Sequence, residues 1–262
     1  MTHGSQEAPT GHWLAGFYDD LLADVLLVRE PAELAGTLSF LQGALELAPG
    51  ARLFDQCCGI GSLALPLARR GFEIWGVDQC APYIERGRRE AEAQGLASRC
   101  HLEAADACSY VPSAPCDGAI NWWTSLGHVG RDEGDRAMLR RAFEALRPGG
   151  RFALDSMNVP GVLRGFQPRV VTERATPAGS VTLVRESEID LRASVMHKRW
   201  VYHLGDGPPV VKTSRLRLYY PHELAAMLEG AGFVELRLLG GESGEALALD
   251  SPRCVALATR PA

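Results

Sequence analysis

The stretch LFDQCCGIGSLALPLARRGFEIWGVDQCAP, residues 53–82, decides how this chain is read. Its apolar start lies within a segment, 51–56, that has the profile of a buried strand. A glycine turn follows and opens a helix over 62–70, which Gly71 ends. A second strand over 72–77 then runs to Asp78. Glycine at 59 and 61 lets the backbone approach a ligand where a Cβ would collide. The first amides of the helix lack internal partners and lie at the positive end of its dipole, so an anionic group is welcome there. Asp78 comes 17 residues after Gly61, where a carboxylate can accept hydrogen bonds from both hydroxyls of a ribose. Gly59-x-Gly61-x-x-Ala64 also satisfies the dinucleotide fingerprint. Glycine turns between strands and helices are common without any ligand. On these residues alone a nucleoside site, a dinucleotide site and a plain turn all stay open.

Working outward, strand and helix patterns alternate. Upstream, helical spacing covers 13–27, and a second helix starts at Pro31 with its stripe on Leu34, Leu38, Leu41 and Leu45. Downstream come a helix over 82–94, strands over 99–103 and 117–123, and a helix over 132–147. The turn Pro148-Gly149-Gly150 leads into a strand over 151–155. Such repetition implies a parallel sheet with helices on both faces. After about residue 158 the pattern changes. Segments 168–175, 180–190, 193–204 and 210–219 are rich in Val, Thr, Leu and Arg and read as antiparallel strands. A helix from Pro221 and strands over 233–239 and 253–259 close the chain. The expected fold is α/β: a Rossmann-like, doubly wound, seven-stranded and mostly parallel sheet. A flexible tail, 1–12, precedes one domain, 13–262, and residues 160–215 form an antiparallel insertion serving as a substrate lid.

Composition bounds the function. The chain has 262 residues, 46% hydrophobic and 23% charged, with a net charge of −5. That excludes disorder as the dominant state, and the missing basic excess argues against a general nucleic-acid partner. Only Lys198 and Lys212 are lysines among 27 basic residues, a choice that fits GC-rich coding. The seven cysteines are irregularly spaced and include no C-x-x-C pair, so no metal site is expected. The start MTHGSQEAPTGHW has neither a cationic region nor an apolar run. With free thiols this suggests a reducing, cytoplasmic setting. No run of about 18 apolar residues predicts a membrane span.

Five stretches in order resemble the class I S-adenosylmethionine-dependent methyltransferases. Asp55-Gln56-Cys57-Cys58-Gly59-Ile60-Gly61 is similar to their first motif, acidic-x-Gly-x-Gly-x-Gly. Asp78 matches the ribose-binding acid. Asp106, in Glu103-Ala104-Ala105-Asp106-Ala107, matches the acid that accepts from the adenine amino group. Asn121 to Gly127 stands where the fourth strand meets the substrate, and Leu146-Arg147-Pro148-Gly149-Gly150 resembles the family's turn before the fifth strand. The resemblance covers about residues 13–160 well and the rest more loosely. It implies S-adenosyl-L-methionine as cofactor, held by Asp55, Cys57, Cys58, Gly59, Gly61, Asp78, Gln79, Asp106, Ala107, Asn121 and Trp122. Cys57 departs from the pattern, since glycine is usual there.

The cofactor class arrives activated, so the protein must align a nucleophile and exclude water, with a base where the acceptor needs one. His128, after the fourth strand, is the candidate base; the alternative is a loop histidine bonding backbone. Tyr18 is the candidate lid or positioning residue, against a plain core role, and His12 a further lid candidate. Trp122 and Trp123 are neighbours on the fourth strand and point to opposite faces, so at most one lines an acceptor wall and the other is core. One or two of Arg164, Arg169, Arg185, Arg199, Arg215 and Arg217 could meet an acceptor carboxylate. The expected function is methyl transfer to a small molecule, in a setting such as natural-product biosynthesis. The alternatives are a NAD-dependent oxidoreductase and a repurposed S-adenosylmethionine-binding protein that transfers nothing. An exposed edge of the inserted sheet leaves a homodimer open.

Overall fold

A computed structural model describes residues 14–177 and 179–262. The chain enters through short turns, α1 (Leu14–Phe17), α2 (Asp20–Leu22) and a π-helical turn (Ala23–Leu27), before α3 (Pro31–Ala44). Then β1 (Arg52–Gln56), α4 (Ala64–Arg69), β2 (Glu73–Asp78), α5 (Ala81–Ala93) and β3 (Cys100–Ala104) alternate. They are followed by β4 (Cys116–Asn121), α6 (Asp132–Ala145), β5 (Leu146–Met157) and α7 (Val159–Arg164). A meander of β6 (Arg169–Thr176), β7 (Gly179–Asp190), β8 (Val195–Leu204) and β9 (Val210–Arg217) comes next. The chain closes with α8 (Pro221–Gly230), β10 (Val234–Leu239) and β11 (Arg253–Thr259).

The main sheet has seven strands in the order β10-β11-β5-β4-β1-β2-β3, and the meander is a separate four-stranded sheet. All pairs from β5 to β3 are parallel, while β11 runs antiparallel to both its neighbours. The central strands are buried on both faces, as parallel strands under two helix layers must be. Leu38 and Leu41 of α3 and Ile84 of α5 fill one face. Met138 and Leu139 of α6 and Leu224 and Leu228 of α8 fill the other. The expected Rossmann-like architecture with an inserted antiparallel sheet is therefore the observed one.

Three local expectations change. The helix over 13–27 is broken at Tyr18 and Asp19. There the Asp19 carboxylate accepts from the Leu22 amide (3.0 Å) and also pairs with Lys212 of β9 (2.5 Å). A polar anchor to the second sheet thus outcompetes a continuous helix. The turn at Pro148-Gly149-Gly150 is absorbed into β5, because Gly149 and Gly150 exchange backbone hydrogen bonds with Arg260 (2.9 and 2.8 Å). Strand β4 stops at Asn121: Trp123 and Thr124 have φ of 57° and 63°, so strand alternation does not govern the tryptophans. Trp122 is buried against Phe40 (ring centroids 6.0 Å apart), and Trp123 sits under Arg29 (5.4 Å).

The four-stranded sheet is docked at two places. Lys212 donates to the Phe17 carbonyl (2.9 Å), while Trp200 and Tyr202 pack with Phe17, Leu22 and Val25. At the other end the Arg217 amide donates to the Gly127 carbonyl (2.9 Å). Gly127 has φ +98°, and a Cβ there would lie 2.5 Å from the Arg217 carbonyl oxygen. Gly127→Ala therefore combines left-handed strain with a backbone clash. We expect a loss of about 2–4 kcal/mol in urea unfolding; a loss below ~0.5 kcal/mol would contradict this docking.

Candidate functional site

The residues that carry the sequence motifs converge at the carboxyl end of β1 and β2. Strand β1 delivers Asp55 fully buried, with its Oδ2 lacking any hydrogen-bond partner. The chain then turns through left-handed backbone at Cys57 (φ 64°), Gly59 (57°) and Gly61 (83°). Asp78, at the end of β2, clips this turn. Its Oδ2 accepts from the Gly59 amide (3.0 Å) and its Oδ1 from the Cys80 amide (2.9 Å). The Cys58 amide donates to the Val77 carbonyl (2.9 Å), which holds the turn between the two strands.

Burial dominates the electrostatics. With Asp78 nearby, it pushes the Asp55 carboxyl up to about 8. Asp78 is raised too, the effect moderated by its two amide donors. Burial also raises the Cys57 and Cys58 thiols, so both stay protonated at neutral pH. Tyr18 is raised by burial and then by Asp78, Cys57 and Cys80, and it packs in one small cluster with Ile60 of the turn, Tyr83 and Cys80. It meets Tyr83 edge-on at 6.1 Å. Tyr18, Asp55, Cys57 and Asp78 thus form one group.

The other expected positions spread around it. Gln79 is exposed. Asp106 is exposed as well, and one of its oxygens caps the Cys108 amide (2.8 Å). Ala107 is buried and its carbonyl accepts from Gln56 Nε2 (3.3 Å). Asn121 is fully buried, donating to Gln56 Oε1 (3.1 Å), while its Oδ1 has no partner. Trp122 belongs to the core. His128 stands apart from the turn, where burial first and then Lys198 of β8 lower it to about 4. His12 lies outside the described residues.

Two polar devices carry no sequence motif. Gln56 joins β1 to the loop after β3 and, through the Met138 carbonyl (3.0 Å), to α6. Arg253 pairs with both oxygens of Asp155 (2.7 and 2.6 Å) and with Thr124 Oγ1 (2.6 Å), bracing the chain just after β4. Asp155 also accepts from the Trp123 amide (3.0 Å). Among the described residues, no group of three or more His, Cys, Asp or Glu is placed to hold a metal ion. No described helix is long and apolar enough to cross a membrane.

A family model described as a methyltransferase domain matches residues 53–150, the span from β1 into β5. Over that span the chain matches a methyltransferase domain, the class that its sequence motifs resemble. Over 117 residues it is 38% identical to the S-adenosyl-L-methionine-dependent Diels-Alderase iccD of Talaromyces variabilis, covering 44% of this chain and 39% of that protein. Over 128 residues it is 30% identical to the methyltransferase GfsG of Streptomyces halstedii, covering 48% and 45%. The aligned part thus spans less than half the length of either curated relative. The fold is similar to the CcbJ methyltransferase from Streptomyces caelestis, with a TM-score of 0.76 at 21% identity, over 92% of this chain and 96% of that one.

The residues of the methyltransferase domain fit the cofactor of that class. Asp55 offers an orphaned buried carboxyl oxygen beside the left-handed turn. Cys57 holds φ 64° without glycine's freedom, a cost of about 1–2 kcal/mol. Cys57→Gly is expected to stabilise the domain by about 1 kcal/mol, and Cys57→Val to destabilise it by ~2 kcal/mol, in urea unfolding. Asp55 has a native pKa above its unfolded value, so the native state binds the extra proton between about pH 4 and pH 8. Its contribution to stability therefore falls as pH rises through that window. Asp55→Asn is expected to flatten this slope and to be more stable than the parent at pH 8 without ligand. An unchanged slope would contradict the buried carboxylic acid.

Proposed function

We propose that this chain transfers a methyl group from S-adenosyl-L-methionine to a small-molecule acceptor. The buried Asp55 carboxyl, its Oδ2 without a hydrogen-bond partner, beside a glycine turn clipped to Asp78 carries this reading. It offers an acid for an ammonium and a second acid for ribose hydroxyls, side by side. Asp106, with one oxygen free of its cap, is assigned to the adenine amino group, and the buried Ala107 to the adenine wall. Gln79 lies at the ribose edge. Asn121 and Trp122 support the site from beneath, with the Asn121 Oδ1 as the remaining acceptor. When bound, S-adenosylmethionine supplies a methyl group already activated by its sulfonium.

The chain's own residues then orient and enclose. Tyr18 covers the turn, and the four-stranded sheet, tied to both the N-terminal turns and Gly127, excludes water from the acceptor side. His128 is neutral at neutral pH, the protonation state that a base requires. Its low basicity suits holding a hydrogen bond better than full proton removal. A dinucleotide oxidoreductase would leave the acidic Asp55 at the end of β1 without a task.

One observation favours a second reading, in which the cofactor is held but not consumed: the relative iccD is named a Diels-Alderase. Radiolabelled S-adenosylmethionine and a panel of small-molecule acceptors separate the two. Label in product with equimolar S-adenosylhomocysteine supports transfer. Product formed equally well with S-adenosylhomocysteine supports the second reading. Asp78→Ala is expected to weaken S-adenosylhomocysteine binding roughly 10- to 100-fold by calorimetry, since charged hydrogen bonds are lost. His128→Ala is expected to lower turnover about tenfold or more. The parent's pH–rate profile should lack a limb near 6.5, because the imidazole titrates near 4; a limb there would contradict the assigned environment.

A further inference from the structure

We propose that the inner face of the four-stranded sheet holds an anion site for the acceptor, in which Lys198 and Arg185 receive a carboxylate or phosphate beside His128. The inference rests on the transfer reading above and names the acceptor's chemical class.

Strand alternation sets the geometry. Arg185 stands opposite Trp200, which stands opposite Lys212, and Ser187 opposite Lys198, which stands opposite Ser214. All six therefore share one face, with Trp200, Lys212 and Ser214 buried. The chain uses arginine at nearly every basic position, yet both of its lysines lie on this face. Lys212 is satisfied by Asp19 and the Phe17 carbonyl. Lys198 and Arg185 are not. Among the described residues no ion pair joins either to a carboxylate, and the Arg185 Nε is buried with no hydrogen-bond partner. On the opposite face of the sheet, by contrast, Arg199 is paired with Glu186 at 2.7 Å.

The two cations flank one ring. The Lys198 ammonium and the Arg185 guanidinium each lie 5.7 Å from the centre of the Trp200 indole. The indole is itself fixed by donation from Nε1 to Ser214 Oγ (2.8 Å). A ring face attracts cations but neutralises neither. Arg253, whose charge also acts on Lys198, is paired with Asp155. Burial, then Arg185 and Arg253, depress Lys198 to about 8, and burial depresses Arg185. Charges drawn out of water are ordinarily paired, and these two half-buried cations have no carboxylate partner among the described residues, so this cluster is short of an anion. Its neighbours fix its place: His128 follows β4, and Arg253 opens β11 opposite the end of β5. The cluster thus faces the carboxyl edge of the sheet, where open α/β folds take their ligands. Arg185 is one of six arginines that sequence alone could not rank.

The test uses the full chain saturated with S-adenosylhomocysteine. A panel of aromatic and sugar acceptor fragments is titrated by calorimetry, each as carboxylic acid, as carboxamide and as phosphate monoester. Acids or phosphates are expected to bind at least tenfold more tightly than the amides. That preference should vanish in Lys198→Met and Arg185→Met and persist in Lys198→Arg. The larger gain, for acids or for phosphates, assigns the group. Equal affinity for acid, phosphate and amide, or a preference that survives in the Lys198→Met/Arg185→Met double variant, would overturn the proposal. S-Adenosylhomocysteine binding is read in the same samples: its absence in the parent overturns the transfer reading, whereas its presence without anion preference overturns only the anion site. Unchanged S-adenosylhomocysteine affinity in the variants shows that they remain folded.

Discussion

The Asp78 carboxylate, bridging the amides of Gly59 and Cys80, is the constraint on which the rest of the site depends. It joins the turn after β1 to the end of β2, so the left-handed path through Cys57, Gly59 and Gly61 has one conformation. That path buries Asp55 with an unused oxygen and sets it beside a second acid. In this water-poor corner burial, and then the neighbouring Asp78, raise the proton affinity of Asp55. The arrangement costs stability in the empty protein and becomes favourable once a cationic group enters. Tyr18 closes over the same corner, so cofactor chemistry and the fold of the N-terminal turns are coupled.

A second level of coupling runs through the four-stranded sheet. It touches the N-terminal turns through Lys212 and Trp200, and the chain after β4 through the Gly127–Arg217 pair. Arg253 and Asp155 stiffen that same stretch from the sheet side. The four-stranded sheet is therefore not an appendage: it is tied both to the N-terminal turns and to the chain after β4. His128 is drawn into this second group, where burial and the Lys198 charge keep it neutral.

The parallel core was legible in the sequence because its signals are local. Apolar runs such as 51–56, the glycine punctuation at 59, 61 and 71, and the order of acids at 55, 78 and 106 need no tertiary information. The meander was legible from its β-branched runs and turns. The break at Asp19 was not, because its cause is Lys212, nearly two hundred residues away. Trp122 and Trp123 depart from strand alternation because the backbone turns left-handed at Trp123, which no local signal in the sequence marks. Gln56, Arg253 and Asp155 carry no motif, since their roles exist only once strands from distant parts of the chain adjoin. Lys198 left a faint trace as one of two lysines, yet only strand register shows that it faces inward.

The central claim is that Asp55 is a buried carboxylic acid awaiting the ammonium of the cofactor. Calorimetric titration with S-adenosylhomocysteine at pH 7, in buffers of different ionisation enthalpy, tests it most directly. With the Asp55 carboxyl raised to about 8 in the empty protein, binding should release close to one proton per ligand. That release should fade at higher pH and be absent in Asp55→Asn. Binding with no proton release in the parent, or the same release in Asp55→Asn, would contradict the account.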